Sequence, residues 1–269
     1  MPSLGHSYSV TPEPPDIPTP ESAARPADAN AGFDAATYGD SFADVYDEWY
    51  PDVSDAAATA EFVDGLGAGQ RVLELGTGTG RLSRALAQRG HRVVGIDASI
   101  AMLDRFDDPA SAPVAADMAQ LPFAPASFDC VLVATNTLFN LATAEAQAAC
   151  FAAAAHVVRP GGHMIVEADV PAPSDPSFDR LVSTRSISPD RVVLTATIRD
   201  DAAQTVTGQH IDISGDGIRL RPWKIRFVGP AELDRLAADA GLQQTGRFAD
   251  WHRSGFAEDS AHHVTVYTR

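Results

Sequence analysis

The stretch Glu74-Leu75-Gly76-Thr77-Gly78-Thr79-Gly80 places three glycines two apart, after an apolar run and before a helical pattern. Glycine tolerates left-handed backbone and carries no side chain, so such a strand–turn–helix lets backbone amides approach a ligand at a helix N-terminus. Many nucleotide-type ligands fit a cradle of this kind. A dinucleotide-binding turn wants a further glycine at position 81, where this chain has Arg81. A second apolar run, 92–97, ends in Asp97, whose carboxylate can accept hydrogen bonds from both hydroxyls of a ribose. That feature suits a dehydrogenase equally. A third run, 113–117, ends in Asp117 followed by Met118. Each has a bland alternative: the carboxylates as turn formers or helix caps, the glycines as a tight turn and nothing more.

These residues sit at the ends of alternating elements. From Arg71 onward, short apolar runs at 72–75, 92–97, 113–117, 128–134 and 163–168 alternate with helical patterns at 80–89, 100–106 and 141–158. This alternation is the mark of parallel βα units. Phe42, Val45, Tyr46 and Trp49 follow helical spacing, and 56–66 forms a second helical pattern closed by glycines. After Asp169 the pattern changes. Segments 191–198, 205–213 and 218–228 alternate β-branched and polar residues around Asp200-Asp201 and Gly215-Asp216-Gly217, which predicts antiparallel hairpins. A helix over 230–240 and strands near 242–251 and 263–268 close the chain. The expected fold is α/β: a Rossmann-like, mostly parallel sheet of seven strands with helices on both faces, plus an antiparallel insertion at about 175–228. Residues 1–31, with seven prolines and no apolar period, form a disordered Pro-rich tail; 32–269 form the domain, with a helical lid at 37–66.

Composition bounds the partners. Twenty basic against 36 acidic residues give a net charge of −16, a field that repels phosphate backbones and argues against a nucleic-acid substrate. No apolar run is long enough to span a bilayer, and the N-terminus lacks the pattern of a secretory signal, so the expectation is a soluble, cytoplasmic protein without a membrane partner. Cys130 and Cys150 lie in apolar segments and are expected as buried, reduced thiols. His262 and His263 have no second pair at metal-ligand spacing, so no metal is expected.

With the acidic Glu74 inside the strand, residues 74–80 resemble motif I of class I methyltransferases, and Asp117-Met118 resembles that family's adenine-recognition position. The resemblance spans residues 71–169 and implies S-adenosylmethionine as methyl donor. It assigns the methionine portion to the turn with Glu74, Gly76, Thr77, Gly78 and Gly80, the ribose to Asp97 and the adenine to Asp117 and Met118, with Ala98 and Ala134 as further donor contacts; Met102, on the helix after Asp97, either packs on the adenine face or belongs to the core. The aromatic opening, the βα units and the late antiparallel insertion are similar to small-molecule methyltransferases, including amino-sugar N,N-dimethyltransferases. In that group the N-terminal segment closes over the donor, which makes Tyr46 and Tyr50 lid residues; packing of an amphipathic helix is the competing explanation.

The acceptor belongs at the carboxyl ends of strands four and five, beside Thr135, Asn136 and Asn140 and beside Glu167 and Asp169. The Asn-Pro-Pro-Tyr run expected of adenine-N6 or glutamine methyltransferases is absent after strand four, where Thr135-Asn136-Thr137-Leu138 stands. In-line displacement from a sulfonium asks the protein to align the nucleophile, exclude water and take a proton where the acceptor carries one. Glu167, Asp169 and His210 are the candidate catalytic bases. Arg221 and Arg226, in the alternating stretch 218–227, are either a solvated strand face or a positive wall that recognises an anionic acceptor. The implied activity is methyl transfer to N, O or C of a small metabolite, with a homodimer as the expected assembly. A nicotinamide-dependent oxidoreductase and a non-catalytic binding protein of the same fold remain the alternatives.

Overall fold

Strand β1, Arg71–Leu75, is buried along its length except at Arg71, and its register fixes everything around it. It pairs in parallel with β2, Arg92–Asp97, on one side and with β4, Phe128–Val133, on the other. The computed structural model describes residues 32–51, 55–173, 175 and 179–269. The predicted tail at 1–31 lies outside the described residues. Residues 33–269 form one unit. Its main sheet has the order β10-β11-β5-β4-β1-β2-β3, in which β3 is Ala112–Ala115, β5 Val158–Asp169, β10 Gln243–Phe248 and β11 His262–Thr268. Only β10 and β11 run antiparallel to their neighbours.

Alternation along the strands explains why helices cover both faces. Leu73, Leu75, Val131, Val133, Met164 and Val166 pack on one side with the helices α6, Ala144–Val157, and α7, Pro230–Asp239. Val72, Cys130, Leu132 and Ile165 pack on the other with α3, Ala56–Asp64, and α4, Arg81–Gln88. Cys130 and Cys150 are free thiols in this core, and burial pushes both up to about 12.

Three elements depart from the sequence pattern. The predicted helix over 42–49 is two helices, α1, Thr37–Phe42, and α2, Tyr46–Trp49, with Asp44 in the break paired to Arg219 and Arg221. Strand β5 begins before Pro160-Gly161-Gly162, because the Gly161 amide donates to the Arg269 carbonyl and the Arg269 amide to the Gly162 carbonyl, so the C-terminus holds this stretch in the sheet. The third departure is an unforeseen strand. Strand β6, Arg180–Ile187, is exposed at every residue and forms by pairing with β7, Arg191–Asp200. With β8, Thr205–Ser214, and β9, Gly217–Arg226, these strands make a separate antiparallel sheet in the order β6-β7-β8-β9.

Candidate functional site

The carboxyl ends of β1, β2 and β3 open into a groove that gathers Gly76, Gly78, Asp97, Ala98, Met102, Asp117 and Met118, with Tyr38 and Tyr46 from the lid. Gly76, Gly78 and Gly80 all adopt positive φ, at +69°, +56° and +85°, which L side chains rarely occupy. Asp97 accepts from the Gly78 amide through Oδ2 and from the Ser99 amide through Oδ1, each at 2.9 Å. A carboxylate has about four lone-pair sites, so two remain for a ligand's hydroxyls. Burial raises the Asp97 pKa. Asp117, which lines the groove, accepts from the Ala119 amide at 2.8 Å through Oδ1, a turn-forming bond that does not use Oδ2.

Glu74 lies at the base of the turn, 3% exposed, where Thr77 Oγ1 and Ser83 Oγ converge on its Oε2 at 3.0 and 2.5 Å. Desolvation dominates and pushes its carboxyl up to about 7. It lines a small cavity together with Thr77, Arg81, Ala134 and Thr135. The lid is tied across this floor. Asp47 accepts from Thr79 Oγ1 at 2.8 Å, Asp40 from Ser99 Oγ at 2.6 Å, and the Tyr50 carbonyl from Arg81 at 3.0 Å.

Beyond Tyr46, Thr137 and Asn140, which border both spaces, the groove continues into a chamber of about 600 Å³. Tyr38, Tyr50, Phe139, Trp223 and Phe227 supply its aromatic wall, and Asn136, Asp169, Arg199, His210 and His262 its polar groups. Thr135 and Asn136 both sit at φ +59°, a strained conformation for residues other than glycine and one that clusters at functional sites. Two bonds hold it: Glu167 Oε2 accepts from the Thr135 amide at 2.6 Å, and Asn136 Oδ1 from the Asp169 amide at 2.7 Å. His210 is packed among Phe42, Trp49 and Trp223, with Nδ1 2.8 Å from Thr195 Oγ1. Burial first, then the charges of Arg185 and Arg221, lower its pKa to about 4, so the ring is neutral at pH 7.

Against known proteins, the methyltransferase-domain family matches residues 72–162. The cypemycin N-terminal methyltransferase of a Streptomyces species is 32% identical over 184 residues, 66% of this chain and 74% of that protein. This chain belongs to the S-adenosylmethionine-dependent methyltransferases. Among solved structures, the CcbJ methyltransferase of Streptomyces caelestis aligns with a TM-score of 0.80 and 38% identity, over 88% of this chain and 99% of that one. CalS10, an amino pentose methyltransferase from Micromonospora echinaspora solved with S-adenosylmethionine bound, shares the fold at a TM-score of 0.56 and 21% identity, over 90% of this chain and 94% of that one.

In the methyltransferase several predicted site residues take other positions. Glu167 is absent from the chamber lining; its carboxylate fixes the turn at Thr135. Gly80 caps α4, and a Cβ there would meet the Phe106 ring at 2.7 Å, so it shapes the turn away from the groove. Tyr50 borders the chamber instead of the donor groove. The predicted positive wall does not form. Arg221, 2% exposed, pairs with Asp44 at 2.6 and 3.0 Å and donates to the Ser41 carbonyl at 2.8 Å. Arg226 pairs with Glu232 at 2.8 Å and donates to the Gln147 and Gln204 side chains. Both guanidinium groups are engaged internally and neither lines the chamber. Trp223, Phe227 and Tyr38 do line it although no sequence pattern marks them, and His262, weighed in the sequence only as a metal ligand, lines it too; the strand register and the lid contacts bring them there.

Arg221→Ala is therefore expected to act on stability. It takes one of two arginine partners from Asp44, which keeps Arg219, and a 3.6 Å contact from Asp212, which keeps Arg191, so the loss should be about 1–2 kcal/mol, below that of a buried pair left with an unpaired charge. A lowered denaturant midpoint with donor affinity retained is the expected result. An unchanged midpoint with a raised acceptor KM would restore the anion-wall reading.

Proposed function

We propose that the enzyme methylates the nitrogen of a small, largely apolar amine, and that it works as a cytoplasmic homodimer. The observation that carries this reading is the aromatic chamber that joins the donor groove at Tyr46, Thr137 and Asn140. Its volume of about 600 Å³ falls within the range of small-molecule sites. Aromatic faces favour a cation over a neutral hydroxyl compound, which suits the ammonium formed when an amine is methylated. Similarity to the cypemycin N-terminal methyltransferase supports nitrogen as the accepting atom.

The residues present fit the donor. Gly78 has only the Tyr46 ring, 4.0 Å away, near the space its Cβ would fill, so the backbone there is open to a ligand. In this reading Asp97 takes the ribose hydroxyls, Asp117 the adenine amine, Met102, Ala98 and Met118 pack on the adenine, and Glu74, Thr77, Gly76 and Ala134 surround the methionine portion. The bound donor supplies an electrophilic methyl on a sulfonium with its own leaving group. The protein's part is alignment and exclusion of water by the lid, with Tyr38 and Tyr46 between the two spaces and Tyr50 on the chamber side.

An amine must arrive neutral, so a proton acceptor at the chamber is useful. Asp169 Oδ1 lies 2.6 Å from His262 Nδ1, which fixes the ring and leaves Nε2 for a proton. His210, neutral and boxed by aromatic rings, serves better as a positioning group than as the base. The test is transfer of labelled methyl from S-adenosylmethionine to a panel of primary and secondary amines and matched alcohols and phenols. Label on nitrogen is expected; label on oxygen alone overturns the proposal.

A further inference from the structure

Gly208 stands in the middle of β8 with no conformational reason to be glycine. Its φ is not positive, and the registers of β8 with β7 and β9 run through it without a bulge. Glycine inside a strand weakens it, and where no bulge explains the residue it marks a close approach by another group. Here that group is the Trp223 indole. Gly208 and Trp223 stand directly opposite each other across the β8–β9 pair, and a Cβ at position 208 would lie 2.1 Å from the ring atoms Cε2 and Cζ2. The ring therefore fills the space that a side chain would take on β8.

This row of the sheet is one wall of the chamber. Side chains alternate along a strand, so Val206, Gly208 and His210 share one face of β8, and Trp223 and Ile225 share the matching face of β9. Val206, His210, Trp223 and Ile225 line the chamber; position 208 does not, because the indole covers it. A second unfavourable feature falls on the same ring. Trp223 Nε1 is buried with no hydrogen-bond partner among the described residues, whereas a buried indole N–H usually finds one. A bare strand position and an unpaired donor thus coincide at the chamber wall. Local rules of stability give way together where a site, and not the fold, sets the residues.

We infer that Gly208 determines acceptor specificity: by leaving β8 bare it seats the Trp223 indole against the sheet and so sets the width of the chamber, admitting amines that carry a wide aromatic group. The inference rests on the chamber being the acceptor site, as proposed above. Any side chain at 208 must push the ring off β8. Apolar carbons pack at about 3.5–4.0 Å, so a Cβ 2.1 Å away displaces the indole by roughly 1.5 Å. The cluster of Phe42, Ala43 and Val45 packs on the indole, and His210 lies beside it with ring centroids 6.1 Å apart, so the open space into which it can retreat is the chamber. Gly208 acts through Trp223 and is a positioning residue; the indole is what an acceptor would meet.

Titrations of the full chain loaded with the demethylated donor, S-adenosylhomocysteine, test this, read by NMR from the indole N–H signals of the three tryptophans, with Trp223→Leu identifying the one from Trp223. The probes are benzylamine and 4-phenylbenzylamine, with the two alcohols of the same shapes. In the wild type both amines are expected to move the Trp223 signal. Gly208→Ala should shift that signal before any amine is added, and should leave benzylamine and S-adenosylhomocysteine at wild-type affinity. It should weaken 4-phenylbenzylamine about tenfold, the order that one methylene is worth in a fitted pocket. In the Trp223→Leu chain the same substitution should leave 4-phenylbenzylamine unaffected and raise the thermal midpoint, because there a Cβ only stiffens the strand. That reversal separates seating of the ring from damage to the sheet. An unmoved Trp223 signal in Gly208→Ala, equal weakening of both amines, or equal weakening with and without Trp223 overturns the inference alone. Trp223→Leu by itself empties the seat and should shift the ratio of the two affinities toward 4-phenylbenzylamine; an unchanged ratio overturns the inference even where Gly208→Ala does not fold. Failure of all four probes to bind, or binding that leaves the wild-type Trp223 signal unmoved, removes the chamber as the acceptor site and the inference with it. Alcohols that bind where the amines do not overturn the nitrogen reading, and Gly208 is then judged on the same two shapes.

Discussion

Gly78→Val should lower the affinity for S-adenosylmethionine at least tenfold while leaving the enzyme folded. The three glycines of the turn differ in what a side chain would meet. At Gly76 a Cβ would collide with the Thr137 methyl group, and at Gly80 with the Phe106 ring, so larger residues there push on the protein itself. At Gly78 the nearest atom is Tyr46 Cε1 at 4.0 Å, and what lies in front is the groove. The φ of +56° adds a cost of about 1–2 kcal/mol for a β-branched residue. That strain lowers the unfolding midpoint modestly. The valine methyl groups then occupy space that the proposed donor site needs, beside the amide that donates to Asp97. Isothermal titration of wild type and variant, together with a denaturation curve, separates the two effects. Wild-type affinity in the variant would move the donor away from this turn.

The contrast among the glycines shows how far spacing alone reaches. Strand β1, the turn and Asp97 were legible because a parallel βα unit is local: burial on both faces gives a continuous apolar run, and the positive-φ positions require glycine. The acceptor side was harder for a physical reason. Its wall is assembled from β8, β9, the lid and the turn after β4, and which residues meet depends on pairings across more than a hundred positions, such as Asp44 with Arg221. Strand β6 carried no burial signal because it is exposed on both faces, so its alternation was never needed to fill a core. One error was avoidable. Along a strand, side chains alternate, so Arg219 and Arg221 share a face while Lys224 and Arg226, at an odd step from them, point the other way; a single positive wall was geometrically excluded once this segment was accepted as a continuous strand. Glu167 shows the opposite limit. Its place at the end of β5 was correctly foreseen, yet its neighbour across the sheet, a turn with two non-glycine residues at positive φ, turns a candidate base into a support.

If Glu74 faces the donor as proposed, donor binding should depend on pH. Burial holds its carboxyl up at about 7, despite the Thr77 and Ser83 hydroxyls that favour the ionised form. In the free enzyme the group is therefore largely protonated at pH 6 and largely ionised at pH 8. The proposed site sets the ammonium of the donor's methionine portion against this carboxyl, and a positive charge there stabilises only the ionised form. Binding must then release a proton below pH 7, and affinity must rise with pH until Glu74 is ionised in the free enzyme. Between pH 6 and 8 the dissociation constant should fall about tenfold, since a group with a pKa near 7 changes its ionised fraction by about that factor. Glu74→Gln keeps the shape, removes the titration and should bind more weakly at pH 8 with a flat profile over the same interval. Titrations at pH 7 in two buffers of different ionisation enthalpy should give different apparent binding enthalpies for the wild type and the same one for the variant. A flat wild-type profile would mean that the ammonium is held elsewhere, and that Glu74 serves only to clamp Thr77 and Ser83 at the base of the turn.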